Sequence, residues 1–173
     1  AGGQMVVDFH NRGHLAVGLE GSSEPVDRNL FNWPEHGGRI LLNCDLAKPF
    51  TVGEESLGTF YELEPLKFDL ITAWEVMEHF RPEDLPQVFS NIWEHLKDSG
   101  LFVASIAFQP DSHPVTGQVL HQTVRSEFDW RHHLIPPTFQ VLDYPFQHSV
   151  RGQDTGYSFK IALRKVPNGN PNN

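Results

Sequence analysis

Phe68–Phe80 reads FDLITAWEVMEHF. The first half, Phe68–Trp74, is a short apolar run rich in β-forming residues and predicts a buried strand. The second half turns polar and sets Glu75, Glu78 and His79 close together. In α/β folds the carboxyl end of a strand is where ligands and chemistry collect. Downstream, Pro82 predicts the first turn of a helix. Leu85, Val88, Phe89, Ile92, Trp93 and Leu96 then recur at three- and four-residue steps, giving one apolar face. Lys97-Asp98-Ser99-Gly100 makes a polar corner, and Leu101–Phe108 (LFVASIAF) predicts the next buried strand.

The same punctuation continues in both directions. Residues 3–12 place Met5, Val6 and Phe9 at helical spacing, and Gly13 predicts the helix end. Leu15–Leu19 (LAVGL) predicts a strand closed by Glu20-Gly21-Ser22-Ser23. Residues 24–38, broken by Pro25, Pro34 and Gly37-Gly38, predict a loop or short helix. Arg39–Cys44 predicts another strand, ended by Asp45. Beyond Phe108, residues 109–122 predict a loop and 125–133 a short helix. Thr138–Leu142 and Gly156–Arg164 predict two late strands joined through Gly152 and Gly156. Helices alternating with continuous apolar strands argue for an α/β fold, a mostly parallel sheet covered by helices. The late strands lack a helix between them and predict a C-terminal antiparallel hairpin. Residues 1–166 read as one domain and 167–173 as a disordered polar tail.

Composition narrows the functions. The chain has 173 residues and a net charge of −9. Residues 1–99 hold 17 acids against 7 Lys and Arg, whereas 100–173 hold 5 against 6. No dense basic block occurs, which argues against a long nucleic-acid footprint. No apolar run is long enough for a membrane-spanning helix. A single cysteine, Cys44, excludes an internal disulfide and a cysteine-based zinc cluster. A lone thiol fits a reducing compartment, so a cytoplasmic location is expected.

The block FDLITAWEVMEHF, the amphipathic helix and the KDSGLFVASIAF segment together resemble class I S-adenosylmethionine-dependent methyltransferases, in particular the group called type 11, 12 or 23. The resemblance covers roughly residues 1–164. It implies a Rossmann-like fold and S-adenosyl-L-methionine as cofactor. It also implies site residues. Glu20, with Gly21 and Ser22, matches the end of the second family strand, where an acid holds the ribose hydroxyls. A carboxylate suits a vicinal diol because it accepts two hydrogen bonds. Asp45 and Leu46 match the end of the third, where the acid accepts from the adenine amine and the apolar neighbour packs on the ring. Ala73, Trp74 and Glu75 match the strand end that backs the methionine part. Gly2 and Gly3 read as the last residues of the glycine-rich loop, with the following helix presenting its first amides to the cofactor carboxylate. On that alignment the first family strand and half the loop are missing, so the domain reads as truncated at its N-terminus. A second copy that completes the sheet would make the protein an oligomer.

For chemistry, methyl transfer needs a positioned nucleophile, and a base where the acceptor is a hydroxyl. His79 is the candidate base, because its ordinary pKa suits proton transfer near neutrality. His113, His121, Arg125 and Trp130 are candidate acceptor contacts. Trp33, Trp74 and Trp93 read as core or pocket wall. The reading expects no metal. Glu75, Glu78, His79 and His121 form a less favoured metal alternative, since E-x-x-E-H also resembles metal-using RNA 2′-O-methyltransferases and ubiquinone-pathway O-methyltransferases. The leading expectation is methylation of a small-molecule or sugar acceptor at oxygen or nitrogen. Metal-assisted RNA 2′-O-methylation and a degenerate binding or scaffold domain are the competing readings. A NAD-binding Rossmann domain also places an acid after its second strand, but leaves E-V-M-E-H and the late hairpin unexplained.

Overall fold

The computed structural model describes residues 2–53, 65–144 and 156–166. The predicted tail at 167–173 and the linking Gly152 lie outside the described residues. Two compact units are present, Ala1–Phe50 and Thr51–Asn173, where the sequence predicts one domain. The described strands form two separate sheets, with no ladder shared between them.

In the first unit, helix α1 (Gln4–Asn11) is followed by strand β1 (Gly18–Glu20), single turns α2 (Glu24–Asp27) and α3 (Trp33–His36), and strand β2 (Leu41–Asn43). Gly13 stops α1 with a φ of 83°, and its amide donates to the His10 carbonyl. Strands β1 and β2 pair in parallel, with Glu20 opposite Asn43. The predicted strand at Leu15–Leu19 lies later, at Gly18–Glu20, and Leu15 is exposed. Gly18 opens the observed strand. A Cβ there would sit 2.9 Å from Val6 Cγ2 and 3.0 Å from Leu41 Cδ2, so only glycine lets α1 pack down on this strand. Pro25 and Pro34 each sit in the first turn of their short helix, where a missing N–H costs nothing.

The second unit holds strand β3 (Phe68–Trp74), helix α4 (Leu85–His95), strand β4 (Leu96–Ala107), strand β5 (Phe139–Leu142) and strand β6 (Ser158–Lys165). The sheet order is β3-β4-β6-β5. Strands β3 and β4 are parallel, while β6 runs antiparallel to both β4 and β5. The late hairpin therefore inserts with β6 inward and β5 at the edge. The four-stranded sheet is mixed, with one parallel pair and two antiparallel ones, while the two-stranded sheet is parallel.

Helix α4 buries Leu85, Val88, Phe89 and Ile92. They join Phe102, Ala104, Ile106, Ile161 and Leu163 in one core, each large side chain worth about 1.5–3 kcal/mol when fully buried. The helix begins at Leu85 and not at Pro82, after a turn that runs from Arg81 to Asp84. The Asp84 amide donates to Arg81 O, and its carboxylate accepts from Arg81 Nε at 2.9 Å. Pro86 occupies the first turn instead. The Lys97–Gly100 corner appears as a shift in register, with Phe68 opposite Leu96 but Leu70 opposite Leu101. A Cβ at Gly100 would meet Phe68 O at 2.9 Å, so glycine is required where the two backbones approach. Among the described residues, no helix is long and apolar enough to cross a membrane.

Candidate active site

The first unit presents its predicted ligand residues at the carboxyl ends of β1 and β2. Asn43 Nδ2 donates to the carbonyls of Glu20 and Ser22, both at 2.8 Å, and pins the Glu20-Gly21-Ser22 turn. Glu20 Oε1 accepts from the Ser22 amide at 3.0 Å. Asp45 Oδ1 accepts from the Ala47 amide, and Oδ2 pairs with Lys48 Nζ at 2.9 Å. The Lys48 ammonium and the Ala47 amide hold the exposed Asp45 carboxyl below its ordinary range. Leu46, half-buried, follows directly. Two carboxylates stand at adjacent strand ends, with an apolar residue beside one of them, and a carboxylate accepts hydrogen bonds. Gly3 caps α1 at a φ of 71°, and a Cβ there would lie 2.6 Å from Leu41 Cδ1. Gly2 lies against the Phe31 side chain. Both glycines allow close backbone packing at the start of the helix.

The second unit builds a different corner after β3. Ala73 and Trp74 are half-buried at the end of the strand. Glu75 breaks it with a φ of 52°, a left-handed conformation that non-glycine residues seldom adopt. Its amide donates to Ser105 O at 2.9 Å and is also 3.1 Å from Ser105 Oγ, which holds the strained residue against β4. A single 3₁₀ turn, Met77–His79, follows. Glu78 is fully buried; Oε1 accepts from the Ala107 amide at 3.1 Å, and Oε2 is buried without a partner. Burial pushes its carboxyl pKa up, against the pull of backbone amides and His121.

The segment after β4 folds back on this turn. The amides of Gln122 and Thr123 donate to Glu78 O, and Thr123 Oγ1 donates to Phe80 O at 2.6 Å. This docking brings His121 to His79, their rings edge to face with centroids 4.9 Å apart. His79 Nδ1 is 3.1 Å from Leu120 O, and His121 Nδ1 is 2.6 Å from Gln109 O. A carbonyl oxygen only accepts, so both Nδ1 atoms carry the proton and both Nε2 atoms keep lone pairs when neutral. Burial, and then the neighbouring His121, push the His79 pKa down and favour that neutral form.

The remaining predicted acceptor contacts divide. His113 is exposed, and its Nδ1 accepts from the Val115 and Thr116 amides at 3.3 and 3.2 Å, organising the tip of its own loop. Arg125 is exposed. Trp130 is a correction: it is wholly buried among Phe89, Phe139 and Ile161 in the core and cannot face an acceptor. The predicted helix at 125–133 is a turn at Glu127–Asp129 capped by Ser126, running into a π turn at Trp130–Leu134 that rolls the indole inward. Trp33 is buried, and Trp93 is half-buried against the core under the Lys165 ammonium, 4.1 Å from the ring centroid. Sequence reading passed over Asn43, Ser105, Thr123 and Asp111. Each acts through the backbone or by proximity across the fold, and neither leaves a spacing signal.

The helix-then-strand order, the parallel β1–β2 and β3–β4 pairs and the late hairpin are a Rossmann-like class I methyltransferase fold. Crystal structures carry the likeness. The PH0226 protein of Pyrococcus horikoshii OT3 superposes with a TM-score of 0.60 at 16% identity, over 95% of this chain and 77% of that one. The glycopeptide N-methyltransferase MtfA complexed with S-adenosyl-L-methionine gives 0.61 at 13% identity, over 95% and 83%. An S-adenosylmethionine-dependent methyltransferase from Clostridium acetobutylicum ATCC 824 gives 0.53 at 13%, over 85% and 73%. No curated protein matches the sequence significantly. Residues 3–149 match the type 23 family described as Methyltransferase domain, and the chain belongs to that family.

Proposed function

We propose that the protein transfers a methyl group from S-adenosyl-L-methionine to a hydroxyl or amine of a small molecule or sugar. The observation that carries this reading, beyond family membership, is His79: a neutral imidazole with its proton committed to Leu120 O and a lone pair on Nε2, set just past the end of β3. Such a nitrogen takes a proton from an acceptor as it becomes a nucleophile. Glu20 would hold the ribose hydroxyls and Asp45 the adenine amine, with Leu46 against the ring. Gly2, Gly3, Gly21 and Ser22 would line the backbone approach, and Ala73, Trp74 and Glu75 the methionine part. The bound sulfonium supplies the methyl group. The protein's work is to orient the acceptor and remove its proton. His113, His121 and Arg125 are the polar groups offered to the acceptor, and a net charge of −9 disfavours a nucleic-acid one. The lone cysteine supports a cytoplasmic setting.

Calorimetric titration with S-adenosyl-L-methionine tests the cofactor, and transfer of labelled methyl to a panel of hydroxyl and amine acceptors tests the activity. Saturable heat with label transfer supports the reading. Heat without transfer to any acceptor makes the chain a cofactor-binding module, and no heat removes the methyltransferase assignment of activity.

A further inference from the structure

We propose that Glu78, His79 and His121 form a binding site for a divalent transition-metal ion. One donor atom from each residue lies within 4.8 Å of the others, the only such group among the described residues. Tetrahedral ligands of an ion at about 2.1 Å stand ~3.4 Å apart, so closure needs side-chain movements on the order of an ångström. Three further observations point the same way.

The first is the tautomer. Leu120 O and Gln109 O each take an Nδ1–H, which leaves Nε2 of both rings as the free donor. Metal-binding histidines are oriented in this manner, one nitrogen tied to a carbonyl and the other on the ion. The second is Glu78. It is fully inaccessible, its Oε1 is taken by the Ala107 amide, and its Oε2 is buried with no hydrogen-bond partner. A buried carboxylate oxygen with no donor is costly, and a cation relieves that cost. The third is the fold-back of the chain. The Gln122 and Thr123 amides bond to Glu78 O, so His121 is delivered to the turn by backbone bonds on the very residue that carries the orphan oxygen. Asp111 Oδ2, 4.0 Å from His121 Nε2, adds a second negative group beside the cluster.

Two imidazoles and one carboxylate select zinc, manganese, cobalt or ferrous iron over magnesium or calcium, which prefer oxygen throughout. Three protein ligands leave open positions, and these take oxygen donors from solvent or from an acceptor. The ion uses the same His79 Nε2 that otherwise takes the acceptor proton, so a loaded site passes activation of the hydroxyl from the imidazole to the ion. The proposal itself stands on the three side chains and does not depend on cofactor binding.

The test uses the full chain, free of any affinity tag and stripped with chelator. Cobalt is titrated while its visible absorption is followed, and zinc and manganese are titrated by calorimetry. One ion per chain is expected. Glu78→Gln and His121→Gln should each weaken binding at least ~10-fold, while His10→Gln, on the exposed face of α1, leaves it unchanged. Glutamine at 78 still accepts from the Ala107 amide, and thermal melts verify that the variants fold. In the unmutated protein, zinc should move the ring resonances of His79 and His121. Absence of saturable uptake, equal affinity in the Glu78 and His121 variants, or zinc shifts confined to other histidines would each overturn the proposal.

Discussion

The strand ends of the two units treat their acids in opposite ways. At the ends of β1 and β2, Asp45 is exposed and engaged by the Ala47 amide and the Lys48 ammonium, and Glu20 caps the turn that follows it. The partners of Asp45 are both within three residues. Past the end of β3, Glu78 is sealed from solvent, and its partners come from the end of β4 and from a loop more than forty residues on. The first arrangement sets an exposed Asp45 beside a half-buried Glu20 at two strand ends. The second is a strained corner in which the Glu78 carboxylate is desolvated beside an exposed His79 and a half-buried His121.

The sharpest way to break this division is kinetic. His79→Ala should lower kcat about 10²–10⁴-fold with little change in cofactor affinity. Glu20→Gln should do the reverse, weakening the cofactor about tenfold or more while leaving kcat at saturation near normal. Because burial and His121 depress the His79 pKa, the rate should rise with pH through a value below the ordinary 6.5. A rate that instead falls as pH rises across that range, with substrates saturating, contradicts the assignment of base.

Glu78→Gln sharpens the comparison through stability. The Glu78 pKa is raised in the folded chain. Its favourable contribution is therefore present below the ordinary carboxylate value and is lost as pH rises through the folded one. An isosteric neutral side chain escapes that loss, and metal-free Glu78→Gln should be about 1–3 kcal/mol more stable at neutral pH in denaturant unfolding. A destabilised variant would mean that the carboxylate carries favourable contacts which the buried geometry does not reveal.

His95 extends the same logic to acid. It is buried, its Nδ1 donates to Asn91 O at 2.8 Å, and its Nε2 accepts from the Val52 amide at 2.9 Å. A protonated ring loses the second bond. Burial pushes its pKa down, Lys67 adds to that, and Asn91 O and Glu94 oppose it. Depression in the folded state means the unfolded chain binds the proton more tightly. The melting temperature should be at its plateau above pH 6.5 and fall as pH drops from there through the folded value. His95→Gln should flatten that decline. The smallest effect belongs to the exposed rim: Asp45→Asn should leave the melting temperature within error at any pH above 5, since exposed ion pairs contribute little.

Much of the architecture was legible in the chain because it is set by local chemistry. Gly13 stops α1, and the apolar periodicity of α4 marks its buried face. Where the reading slipped, a neighbour decided. Strand β1 begins at Gly18, against which α1 packs, α4 begins after the Arg81–Asp84 turn, and Trp130, within a π turn, lies wholly inside the core. Glu20, Asp45 and His79 were visible as candidates, because strand-end acids and an E-V-M-E-H block are patterns in consecutive residues.

What the sequence determined by itself is the order of elements and the residue types at each strand end, since hydrophobic period, turn residues and caps act over a few positions. Only the tertiary structure decided which of those groups meet. His121 reaches His79, and Glu78 loses water and all but one hydrogen-bond donor to its carboxylate, because β4 and the loop beyond it fold back over the turn. Burial and the choice of histidine tautomer follow from contacts between residues distant in the chain, and no local pattern encodes them.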